Sequence, residues 1–331
     1  MEDREKLDLE AIAKECNLFE VNANSDTAEV IGKINSLDEK YERDNLLLIY
    51  NYFLSVCKVP EVLMTLLQCS DRFRDKSSLS PVLDILLWKI DGDELNKEDF
   101  VNVRVMAAKA TANLKDTSAV TPLLYCLNNK DENYKIRFAC ADALGKIGDR
   151  FAVAPLIDVV KDEDERSVYL RESAASALGM LGDIRAVDPL VSILETKQGI
   201  VNKFTFLKER VIEALGKLRL DKNDRVFNAL KSSLMDESSQ IRINAIEALM
   251  ESEHPDAYDA IKVCLKDSDD EVKKNALIAL YNMTGRRILD EVIAESDYAD
   301  VLKVEAVSII EEYETDEDDE IAQRIRREHD E

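Results

Sequence analysis

Histidine is almost missing from this chain: its 331 residues contain two, His254 and His329, and neither stands in a cluster of cysteines at metal-ligand spacing. Zinc centres need such clusters, so no metal site is expected. Cysteine amounts to six residues, Cys16, Cys57, Cys69, Cys126, Cys140 and Cys264, with no C-x-x-C pair. Cys57, Cys126, Cys140 and Cys264 lie in apolar helical runs and read as small buried hydrophobes of a reducing compartment. Glycine occupies nine positions and proline six, which suits helices joined by short turns. No G-x-S-x-G, P-loop or G-x-G-x-x-G is present, and no catalytic residue or cofactor is expected. Asp91-Gly92-Asp93-Glu94 invites a calcium-loop reading, but positions six and twelve from Asp91 are Asn96 and Asn102, where an EF-hand needs Gly and Glu. Long apolar runs are lacking too. The most apolar one, Leu46–Val59, is too short to span a bilayer and contains Asn51 and Lys58. Met1–Lys6 is charged and offers no signal core, so the cytoplasm is the expected location. Positive charge is in deficit: 44 Lys and Arg face 68 Asp and Glu, a net charge of −24. Such a surface repels phosphates, which excludes nucleic acid and disfavours anionic membranes. A basic protein partner is compatible with it, although such charge is more often a solvated face.

What the chain does contain is a sentence written twice. Ile136-Arg137-Phe138-Ala139-Cys140-Ala141-Asp142-Ala143-Leu144-Gly145-Lys146-Ile147-Gly148-Asp149 returns as Leu170-Arg171-Glu172-Ser173-Ala174-Ala175-Ser176-Ala177-Leu178-Gly179-Met180-Leu181-Gly182-Asp183, at a period of 34 residues. A fixed period of about 20 to 50 residues means a repeat architecture. Ile136, Ala139, Ala143, Leu144 and Ile147 follow helical spacing, Gly148 stops the helix, and Asp149 can cap the segment after it. Pro155 sits near the start of the next run, where a missing N–H costs little. One repeat is a helical hairpin. Gly145 and the alanines keep the helix surface low enough for neighbouring hairpins to stack, which buries apolar faces that no single hairpin can cover. Taking Val103 as a landmark, equivalents recur at Ile136, Leu170, Leu207, Ile241, Val272 and Leu302, at intervals of 33, 34, 37, 34, 31 and 30.

This pattern resembles the HEAT-like repeats first associated with phycobilisome lyases, over roughly residues 79–313. The resemblance implies an all-α fold, a right-handed α-solenoid of stacked helical hairpins of the HEAT/armadillo-like kind. It also implies a structural ladder along the stack, here Asp131 with Arg137 and Asp236 with Arg242, a loop Asp and a helix Arg six residues apart, together with Arg171, and with Asp267 and Lys273 a weakened copy. The hydroxylases with such repeats build a di-iron site from His-Glu pairs, and this chain has no His-Glu dipeptide, so that branch is set aside.

Three regions are expected. Residues 1–78 form an irregular helical block, either a cap of degenerate repeats or a docking element, with the cap preferred because terminal repeats are normally atypical. Residues 79–313 form the solenoid, and residues 314–331 form an acidic tail, read as a solubilising end. An apolar insertion at Thr196–Phe206 accounts for the interval of 37 and is either a binding loop or packing.

In the family the helix bearing Val/Ile-Arg lines the concave side, and residues flanking that pair point outward. The candidate partner-binding residues are therefore Met106, Tyr134, Phe138, Tyr169, Phe206, Glu209, Arg210 and Glu213. Aromatics concentrate binding energy, and the competing reading folds them over the inter-repeat groove as a spine. The expected function is a non-enzymatic scaffold holding a protein or peptide on this face. The alternative is a subunit of a phycobilin lyase.

Overall fold

The computed structural model describes residues 7–22, 26–88, 97–165, 167–195, 205–218 and 223–312. The Asp91–Glu94 stretch, most of the 196–206 insertion, His329 and the 314–331 tail lie outside these residues. The secondary structure is helical, with no strand among the described residues. The chain divides into two compact units, Met1–Leu181 and Gly182–Glu331.

The first unit contains α1 (Leu9–Glu15), α2 (Ala28–Ser36), α3 (Arg43–Val56), α4 (Pro60–Asp71), α5 (Leu79–Leu86), α6 (Glu98–Leu114), α7 (Val120–Asn128), α8 (Tyr134–Ile147), α9 (Val153–Lys161) and α10 (Val168–Leu181). The helices α4, α6, α8 and α10 stack side by side, and α5, α7 and α9 each pack against the next member of that stack. This is the α-solenoid arrangement of stacked hairpins. The N-terminal helices continue it, since α3 packs on α4 and α5, and α4 packs on α6. Leu46, Leu47, Ile49, Tyr50, Phe53 and Leu54 of α3 are buried.

The second unit contains α11 (Val187–Glu195), α12 (Thr205–Lys217), α13 (Asp224–Ser233), α14 (Ser239–Glu251), α15 (Ala257–Lys262), α16 (Asp270–Thr284), α17 (Arg287–Ala294) and α18 (300–312). Here α12, α14 and α16 stack, with α13 and α15 packed against α14 and α16.

All seven landmark residues, Val103, Ile136, Leu170, Leu207, Ile241, Val272 and Leu302, are buried. Leu144 is also wholly buried. Gly148 closes α8 in the left-handed region at φ 83°, and Lys115 does the same for α6 at φ 49°. The turns after these helices share one device. Asp75, Asp116, Asp149 and Asp183 each accept, through the carboxylate, the backbone N–H two residues on. The Ser118 N–H holds the Asp116 pKa down at about 2. Close approach of α8 and α10 requires Gly145: a Cβ there would lie 2.6 Å from Met180 Cε and 2.8 Å from Ala177 Cα. Gly216 plays the same part in the second unit, with a built Cβ at 3.2 Å from Ala248 Cα. All six cysteines are free and buried.

The ladder exists, with its acids placed differently from expectation. Arg137 Nη1 donates to Glu165 at 2.7 Å, and Arg104 donates to both oxygens of Glu132 at 3.0 and 2.6 Å. In the second unit Lys208 pairs with Asp236 at 2.9 Å, and Arg242 donates to both oxygens of Asp267 at 2.9 and 2.8 Å. Each rung thus runs forward to the next loop. Asp131 is not the rung acid of its loop; its neighbour Glu132 is. Asp236 is a rung acid, and its side-chain partner is Lys208, while Arg242 reaches only its backbone carbonyl. The cause is how the arginines are anchored. The Nε of Arg104, Arg137 and Arg171 donates to Leu86, Leu127 and Val160 carbonyls at 2.8, 2.8 and 2.9 Å. These carbonyls end the preceding helices and have no helical donor of their own, and the fixed guanidinium fork then aims the far nitrogens of Arg104 and Arg137 ahead.

Candidate interaction surface

Tyr134 opens α8, and the Asn133 side chain caps that helix by accepting the Lys135 N–H at 2.9 Å. Phe138 lies one turn later on the same face. Tyr169 stands in the first turn of α10, which packs directly on α8. Their side chains are open to solvent, with 46% of Tyr134, 40% of Phe138 and 64% of Tyr169 exposed. Two contacts hold the neighbouring backbones in place. Ser173 Oγ donates to the Phe138 carbonyl at 3.3 Å, and Lys135 pairs with Glu98 of α6 at 3.1 Å. Met106, on α6, is half-buried. The first unit therefore presents three rings on the leading turns of two adjacent helices.

In the second unit Phe206 is 63% exposed on the first turn of α12. The acids beside it do not face outward as expected. Glu209 is 9% exposed, and desolvation raises its carboxyl pKa. Its position explains this: Glu209, Ile212 and Gly216 stand at i, i+3 and i+7, a helical stripe, and Gly216 faces α14 closely. Glu213 is half-buried and already paired, accepting from Arg210 at 2.6 Å and Lys217 at 2.5 Å. Desolvation works against its ionised form, and Lys217 and Arg210 together hold its pKa below the usual value. Arg210 is exposed within this triad.

Several exposed apolar side chains escaped the sequence reading, notably Phe151, Ile184, Met235 and Val263. They sit in turns or at helix ends, where no periodicity marks them. No group of three or more His, Cys, Asp or Glu among the described residues is placed to hold a metal, and no described helix is long and apolar enough to cross a membrane.

Against this geometry, the chain matches the family model described as HEAT repeats over residues 92–169, 204–281 and 227–325, well over half its length. The model described as PBS lyase HEAT-like repeat matches residues 170–196. No curated protein matches. Among solved structures, human deoxyhypusine hydroxylase is similar at 16% identity and TM-score 0.34, covering 82% of this chain and 94% of that one. The complex of CpcE and CpcF of phycocyanin lyase from Nostoc sp. is similar at 18% identity and TM-score 0.40, covering 87% and 96%. Kap121p is similar at 12% identity and TM-score 0.49, covering 94% of this chain and 38% of its own.

Proposed function

The chain belongs to the HEAT-repeat family, and from that premise we propose that it is a non-enzymatic scaffold that holds a protein or peptide partner. The carrying observation is the set of exposed rings at Tyr134, Phe138 and Tyr169, on two helices whose inward stripe, Ile136 and Leu144 of α8 and Leu170 and Leu178 of α10, is wholly buried. Rings on a rigid helical frame add contact area at low conformational cost, and they are where interface energy concentrates. The second unit carries an exposed ring of its own at Phe206. The net charge of −24 favours a partner with basic residues around an apolar segment.

The test compares the proteins retained by wild type with those retained by a Tyr134→Ala/Phe138→Ala/Tyr169→Ala variant of unchanged circular dichroism. A partner lost by the variant is then purified, and its direct binding to wild type supports the reading; undiminished binding to the variant sinks it. The PBS lyase HEAT-like match at 170–196 favours a second reading, a phycobilin lyase subunit. Mixing with a bilin and recording the absorbance spectrum decides it: no red shift and no adduct rejects the lyase.

A further inference from the structure

The second unit carries a groove that the proposed scaffold face does not use. It lies between the end of α13 and α15, is lined by Lys231, Leu234, Met235, Asp259, Ala260 and Val263 among others, and has a volume of about 350 Å³. Two large apolar side chains at its sides stand open to solvent, Met235 at 82% and Val263 at 69%. Asp256 and Asp259 add negative charge at one wall. Apolar side chains this exposed beside a groove ask for a cover.

The same unit's C-terminal sequence supplies a matching pattern. Ile321 and Ile325 are four residues apart, and Arg324, Arg326 and Arg327 surround the second of them. In a chain of net charge −24 this is a rare cluster of cations beside apolar residues. Eight residues, 313–320, separate the end of α18 from Ile321. Extended, they span about 27 Å. With packed helices 8–10 Å apart, that length crosses roughly three helices, and α16 and α17 are those between α15 and α18 in chain order.

We infer that the groove between α13 and α15 is the docking site for this chain's own segment Ile321–Arg327, whose isoleucines cover Met235 and Val263 while its arginines meet Asp256 and Asp259. The contact is a built-in occupant of the groove, and it excludes other apolar segments from it.

Methionine oxidation reads the contact directly in the full-length chain, because the exposed thioether converts to the sulfoxide at a rate set by access. Met235 should oxidise severalfold more slowly in dilute hydrogen peroxide than it does in an Ile321→Asp/Ile325→Asp variant, with Met180 as the reference that does not change. From the groove side, Val263→Asp should speed trypsin cleavage at Arg324, Arg326 and Arg327 by a similar factor while circular dichroism stays the same. Equal Met235 rates in wild type and variant overturn the inference. So does a protection that rises with protein concentration, which would place a second copy in the groove.

Discussion

Arg137 and Glu165 stand 28 residues apart in sequence and meet at 2.7 Å, with 6% and 7% of their side chains exposed. The arginine also donates through Nε to the Leu127 carbonyl at the end of α7, and Glu165 accepts the Ser167 N–H of its own loop. One ion pair therefore joins the end of one helix, the side of the next and the loop beyond it.

Glu165→Ala should destabilise the chain by about 3–5 kcal/mol, because it strands a buried guanidinium. Removing both partners, as Arg137→Met/Glu165→Leu, should cost less than the single change. Urea unfolding of the two variants checks the order, and a double variant weaker than the single one would show that the pair is not a self-contained unit.

Acid should loosen the second unit through Asp267. Desolvation alone would lift that carboxyl, but the Arg242 fork and the Asp269 N–H outweigh it and leave its pKa below the ordinary value. A group depressed in the fold contributes stability above its unfolded pKa, about 3.9 for Asp, and loses it as pH falls through the folded value. The urea midpoint of Asp267→Asn should therefore lie well below wild type at neutral pH and converge on it near pH 2 or lower. A gap that stays constant with pH would remove the charge from the explanation.

Gly145→Val should be among the most damaging single changes in the first unit. Met180 can swing away from a new Cβ, whereas the Ala177 backbone at 2.8 Å cannot. Overpacking costs about 1–3 kcal/mol in ordinary cores, and a forced separation of α8 and α10 should reach the top of that range or exceed it. The thermal midpoint measures it.

Lys115→Gly should stabilise. Lys115 holds φ 49°, which costs a side-chain-bearing residue about 1–2 kcal/mol and glycine very little. Part of that gain is returned as glycine's extra freedom in the unfolded chain, leaving a net rise of roughly 0.5–1 kcal/mol. A lower melting temperature for this variant would contradict the backbone argument.

The fold was largely legible because a solenoid repeats its own evidence. Val103, Ile136 and Leu170 recur at near-equal spacing, and each lies buried, eleven residues before the end of its helix. Gly148 and Asp149 announced their turn. The rung acids were less legible, since a six-residue offset within one loop selects Asp131, while the contact is made by Glu132, five residues before Arg137. Pairing across repeats depends on where a guanidinium is anchored, and nothing in a single copy shows that. Glu209 misled for another reason: it stands where α8 carries the exposed Phe138, and only the tight seam at Gly216 shows how deep that stripe lies. Met235 and Val263 had no periodic signal at all.

The forward reach of the rungs works as a ruler. From Arg104 to Glu132, from Arg137 to Glu165 and from Lys208 to Asp236 the count is 28 residues, and it shortens to 25 from Arg242 to Asp267. A deletion between cation and acid would misalign two hairpins at once, whereas one placed after the acid would leave that rung intact. The array nonetheless changes length on both sides of the acid: the interval from acid to next cation is five at Glu132–Arg137 against six at Glu165–Arg171, and the span from Arg242 to Asp267 is three residues shorter in a repeat whose α15 has six residues where α9 has nine, with its rung still closed.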